Sequence, residues 1–118
     1  MGETDLQRIR HILLHCEDIE KSLQRHSQDF DEFLDDHEFY NSICMDTLQI
    51  GELSGGLSPV FKNESSDIVP WVSIRAVRNI VAHAYETVKS KTLWEIATQD
   101  IPALQRFCEQ TIAEAENT

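Results

Sequence analysis

Apolar side chains recur at three- and four-residue spacing from the start of the chain: Leu6, Ile9, Ile12, Leu13, Cys16, Ile19 and Leu23 fall on one stripe of a helix. Thr4 or Asp5 stands where an N-cap is needed, which predicts a first helix running to about residue 27. Residues 29–36 are acidic with Phe30, Phe33 and Leu34 embedded, the pattern of a short turn or brief helix, and a second long helix is predicted over 38–53. Gly51, Gly55 and Gly56 are expected to break it. Residues 57–70 hold Ser58-Pro59, Asn63 and Ser65-Ser66-Asp67 and read as a loop with turn chemistry, in which Ser66 or Asp67 can cap a short helical turn. Pro70 suits the first turn of a further helix reaching His83. Beyond Tyr85 a loop to Lys91 leads into a helical turn at 92–98, and Asp100 can cap a terminal helix that carries Pro102 in its first turn and ends near 114. No segment alternates with period two, and no repeat or low-complexity tract appears. The expected fold is therefore all-α: one domain, 1–118, built as an antiparallel bundle of four to five helices.

Composition narrows the class. With 118 residues and 41% hydrophobic content the chain is long enough for one real core. It shows neither a basic-then-apolar leader nor an apolar run near the roughly 20 residues of a membrane span, so a soluble, unexported, cytoplasmic protein without membrane contact is expected. Cys16, Cys44 and Cys108 are odd in number and lack C-x-x-C spacing, which argues against a disulfide framework and a zinc knuckle.

Charge changes the picture further. The net value of -11 runs against RNA binding, where phosphate neutralisation by Lys and Arg dominates affinity. The distribution matters more than the sum. Residues 68–94 carry Arg75, Arg78, Lys89 and Lys91 against Glu86 alone, a local +3, while the remainder balances at -14. Such a basic groove on an acidic body suits a short or structured RNA site, and the acidic body suits a basic protein partner.

The basic segment contains the chain's candidate chemistry, Arg78-Asn79-Ile80-Val81-Ala82-His83-Ala84-Tyr85. Guanidinium grips phosphate bidentately at any physiological pH, and imidazole exchanges protons near neutrality. Together they are the parts a metal-free ribonuclease needs. At about 100° per residue, Ile74, Val77, Ile80 and Val81 share the core face of the helix. Arg78 and His83 then lie on its two flanks, about 140° apart, with Arg75, Asn79 and Ala82 in the polar arc between. Both reach one phosphate only if the helix ends or bends near His83, or if a second copy faces the first across a two-fold. This favours a homodimer. The expected mechanism is cleavage by the RNA's own 2′-hydroxyl, with His83 as general base or acid, Arg78 stabilising the phosphorane-like transition state, Asn79 orienting, and no cofactor or metal. Arg75 and Lys89 are candidate backbone contacts.

Flanking segments give the motif a context. Thr47 to Leu53 (TLQIGEL), Leu57-Ser58-Pro59, Pro70-Trp71, Ile74-Arg75, Arg78-Asn79, His83 to Tyr85, Trp94-Glu95-Ile96 and Asp100-Ile101-Pro102 follow one another at spacings that closely resemble the HepT-like proteins, minimal HEPN-domain toxins. The resemblance covers about residues 6–112. It implies an RNA endonuclease toxin, cleaving transfer or messenger RNA as a dimer. It also implies a type VII-like toxin–antitoxin system, in which a small MNT-type nucleotidyltransferase silences the toxin by adding AMP to the motif tyrosine, here Tyr85. A second reading keeps the dimer but makes it a binding module for that partner and for nucleotide or RNA, with little cleavage.

Other features have plainer readings. Without the flanks, Arg78 and His83 would be a salt-bridged flank and a dipole-interacting cap. His11 and His15 are one turn apart, but two ligands without a third make a poor metal site, so a solvated or interface face is expected there. Leu14 on the same side hints at packing against another chain. Trp71 and Trp94 read as core or interface anchors rather than base-stacking platforms. The set Asp31, Glu32, Asp35, Asp36 and Glu38 lacks calcium-loop spacing and reads as a solvated turn.

Overall fold

The computed structural model describes residues 1–82 and 90–117, and helices account for nearly all of them. The elements are α1 (Glu3–Arg25), α2 (Phe30–Asp35), α3 (His37–Gly55), α4 (Pro59–Ser65), α5 (Trp71–Ala82), α6 (Ser90–Glu95), a π-helical turn (Ile96–Asp100) and α7 (Ile101–Glu116). No strand occurs among the described residues. The all-α expectation holds, with long helices α1, α3, α5 and α7 forming the bundle and the short helices bridging them.

Cross-helix contacts fix the directions. Ser22 meets Ser42 and Asp5 meets Ser58, so α1 and the segment from α3 onward run antiparallel. Arg10 pairs with Glu116 and Gln105 with Glu20, so α7 runs antiparallel to α1. The stripe read from the sequence is the core face of α1: Ile9, Ile12, Cys16 and Ile19 are fully buried and Leu23 nearly so. Phe33, Phe39, Ile43, Ile50, Leu93 and Leu104 complete the centre. Trp71 is buried against Phe61 and Phe107, and Trp94 packs on Phe30, Phe33 and Phe39, so both tryptophans anchor the core.

Four local expectations need correction. Neither Thr4 nor Asp5 caps α1; Gly2 occupies that position without a side-chain bond. Asp5 is instead buried and accepts hydrogen bonds from Ser58 N at 2.8 Å and Ser58 Oγ at 2.5 Å. Ser58-Pro59 opens a helix rather than a loop, because Ser58 Oγ accepts from Phe61 N at 3.2 Å while proline suits the first helical position. Gly51 does not break α3 but lies buried inside it, where a Cβ would meet Ile74 O at 3.5 Å and Arg78 N at 3.6 Å. Asp100 makes no cap, since the backbone stays helical through the π turn and passes straight into α7.

The acidic stretch between α1 and α3 is ordered by its own carboxylates. Ser27 and Gln28 adopt left-handed φ values of 55° and 49°, which ends α1 and turns the chain. Asp29 then accepts from Asp31 N and Glu32 N to cap α2, and Asp36 accepts from Phe39 N to cap α3. The acidic residues thus mark two helix starts.

Candidate functional site

Helix α5 is amphipathic in the register the sequence predicted. Val77 and Val81 are buried, Ile74 and Ile80 are half-buried, and Arg75, Arg78 and Asn79 are exposed on the polar arc. Core packing therefore dictates which side of the helix meets solvent, and the motif arginine comes with it. The absence of a side chain at Gly51 lets α5 lie close on α3 at the level of Arg78.

That close approach brings a carboxylate into the basic face. Glu52, next to Gly51 on the last turns of α3, accepts from Arg78 Nε at 2.7 Å and lies 3.4 Å from Arg75 Nη1. Arg75 Nη1 also donates to the Gly51 carbonyl at 3.2 Å. The three charged side chains keep 43–52% of their surface exposed, so the cluster stands at the molecular surface. The contact with Glu52 is made through Nε of Arg78, and the arginine side chain remains 52% exposed. Arg75, Arg78 and Asn79 are thus brought together as expected, whereas His83, Tyr85 and Lys89 lie outside the described residues.

Glu52 was not singled out as a site residue from the sequence, although it stands within the 47–53 segment. The available signal was a glycine inside a helical pattern with a carboxylate beside it, since an interior glycine marks a place where another backbone comes close. Glu52 also qualifies the local charge of +3, which counts only neighbours in sequence and omits an acid delivered from another helix.

The opposite side of α5 is chemically different. An apolar groove of about 500 Å³ runs between α3, α5 and α7, lined by Ile50, Ile74, Val77, Ile80, Leu104 and Phe107. Its lining is mainly apolar, with Arg106 and Asp100 among the few charged residues, whereas the arginine face carries two cations side by side.

Comparison with known proteins now bears on this face. A family model described as ribonuclease HepT-like matches residues 12–111, which includes Glu52, both arginines and the whole R-x4-H-x-Y segment. The chain belongs to the HepT-like ribonuclease family. Among its relatives is a protein of Caldanaerobacter subterraneus subsp. tengcongensis named "Putative RNase", 29% identical over 98 residues, covering 83% of this chain and 85% of that protein. Another, from Thermococcus cleftensis, is named "Probable ribonuclease HepT" and is 32% identical over 76 residues, covering 64% of this chain and 68% of that protein. No solved structure matches. No described helix is long and apolar enough to cross a membrane.

Proposed function

We propose that this protein is an endoribonuclease that cleaves RNA without a metal, using Arg78 and His83 in a cleft formed by two copies of the chain. The observation that carries the reading is the presentation of Arg78: an exposed guanidinium held by Glu52 at 2.7 Å, five residues before a histidine, in a family of ribonucleases. In the reaction, His83 takes the proton from the ribose 2′-hydroxyl, whose oxygen attacks the adjacent phosphorus. Arg78 stabilises the charge that builds on the non-bridging oxygens. The 5′-oxygen leaves and takes up a proton, from His83 of the second copy or from water, giving a 2′,3′-cyclic phosphate and a 5′-hydroxyl end. Asn79, exposed beside Arg78, orients the phosphate, while Arg75 and Lys89 serve as contacts to the RNA backbone.

The regulatory part of the proposal concerns Tyr85, two residues beyond the histidine. AMP on its hydroxyl, added by an MNT-type nucleotidyltransferase antitoxin, places an anionic nucleotide where RNA phosphate has to bind and so silences a cytoplasmic toxin. The acidic body outside the motif, at a balance of -14, supports docking of a basic protein surface. The test is to sequence RNA ends after incubation with purified protein in chelator, with intact mass recorded for protein expressed with and without the nucleotidyltransferase. Cyclic-phosphate ends from unmodified protein, and a mass increase on Tyr85 that abolishes them, are the expected results. Unmodified protein that binds RNA without cutting it would favour the binding-module reading instead.

A further inference from the structure

His15 finds its partners not in His11, one turn away, but in carboxylates that folding supplies from two directions. Asp18 lies one turn beyond His15 on α1, and antiparallel α3 carries Asp46 to the same place. His15 Nδ1 is 3.0 Å from Asp46 Oδ1, and one ligand atom from each of His15, Asp18 and Asp46 lies within 4.8 Å of the others. We propose that these three side chains bind a divalent transition-metal ion of the zinc class, which pins α1 to α3.

Geometry, donor type and electrostatics all support the assignment. Zinc bonds to imidazole nitrogen and carboxylate oxygen are about 2.0–2.2 Å, so ligand atoms around the ion are separated by roughly 3–3.5 Å. The His15–Asp46 separation already meets that requirement, and Asp18, on the exposed rim, is the side chain that moves in. One imidazole and two carboxylates form a mixed set suited to zinc, with a water completing the shell. Asp46 is the electrostatic reason for a cation here. Its side chain is only 13% exposed, so water screens its charge and that of nearby Asp18 poorly. A divalent ion compensates both carboxylates at once.

A second histidine–acid group provides an internal control. His26, Glu32 and Asp36 also converge, but Asp36 Oδ1 is committed to the N-terminus of α3 through Phe39 N, and the His26 ring is stacked on Phe39 with centroids 4.1 Å apart. One oxygen of Asp36 and the imidazole face of His26 thus already have structural roles. The proposed ion is also separate from the arginine face: six residues along α3, Asp46 and Glu52 are about 9 Å apart along the axis and about 120° apart around it. Its role is structural, and the ribonuclease reading does not depend on it.

The test uses the full chain, freed of metal by chelator and dialysis, titrated with zinc chloride by calorimetry. Visible absorption of the cobalt(II) form serves as a probe of coordination, and thermal melting is followed in parallel. The expected result is one zinc per chain, a melting temperature that rises with zinc, and affinity at least about tenfold weaker in His15→Ala and Asp46→Asn while His26→Ala binds like wild type. Asp18→Asn, at an exposed position, gives the same loss without risk to the core. Absence of saturable zinc binding by wild type, or binding that survives His15→Ala and Asp18→Asn, or loss confined to His26→Ala, would overturn the proposal.

Discussion

Glu52 holds two arginines, yet all three groups are about half exposed, and ion pairs in such surroundings contribute only about 0–1 kcal/mol. Its consequence is orientation rather than stability. Replacing Glu52 with Ala is therefore expected to leave the melting temperature within a few degrees of wild type while kcat/KM for RNA falls about tenfold, because a guanidinium free to wander is less often aligned with the phosphate. Glu52→Gln keeps an acceptor oxygen and should lose less. Asp46 carries a prediction of opposite sign. Its carboxyl is raised by burial, so the folded state holds this proton more tightly than the unfolded one, and stability declines as pH rises from the ordinary carboxylate range to the raised value. In chelator, Asp46→Asn should be more stable than wild type near pH ~7, and the difference should vanish near pH ~3, as read by calorimetric melting. Among the cysteines, burial pushes the Cys108 thiol up to about 12 and Cys16 still higher, so neither is a nucleophile at neutral pH.

At the scale of elements, the tightest constraint is the approach of α5 to α3 at Gly51. The space beside it admits a Cβ at ordinary contact distance and little more. Gly51→Ala should keep the fold and raise stability by up to about 1 kcal/mol through helix propensity, whereas Gly51→Leu should force α5 outward and lose both stability and cleavage, measurable by urea denaturation beside an RNA assay. Ser58 links two elements by capping α4 and donating to buried Asp5 on α1. Ser58→Ala is expected to cost about 1–3 kcal/mol, since a cap is lost and a buried acceptor is stripped of a partner. The long helices were legible because their apolar spacing is a local property: Ile9, Ile12, Cys16 and Ile19 in α1, and Val77 and Val81 in α5, are buried as the period demands. Helix α4 was misread because Ser-Pro is the chemistry of a turn and equally of a helix start. Asp100 looked like a cap, but a cap exists only where the backbone leaves the helix, and here it does not.

The whole molecule is an acidic bundle on which one helix presents two arginines. What was legible in the sequence at this scale was the family that residues 12–111 match and the polar arc of α5 on which Arg75, Arg78 and Asn79 lie. What escaped it were pairings between residues distant in sequence: Glu52 with Arg78, Asp46 with His15, Asp5 with Ser58. No periodicity encodes these, because each depends on the register of one helix against another. The same limit applies to a two-fold cleft, which in solution should appear as a dimer by sedimentation. The most direct test of the proposed chemistry is the rate at which wild type, Arg78→Ala and His83→Ala cut RNA in the presence of EDTA, with helical content of each protein matched by circular dichroism. Metal-free cleavage by wild type that drops at least about 100-fold in both variants is the predicted result. Cleavage that persists in His83→Ala, or that appears only when a divalent ion is supplied, would contradict it.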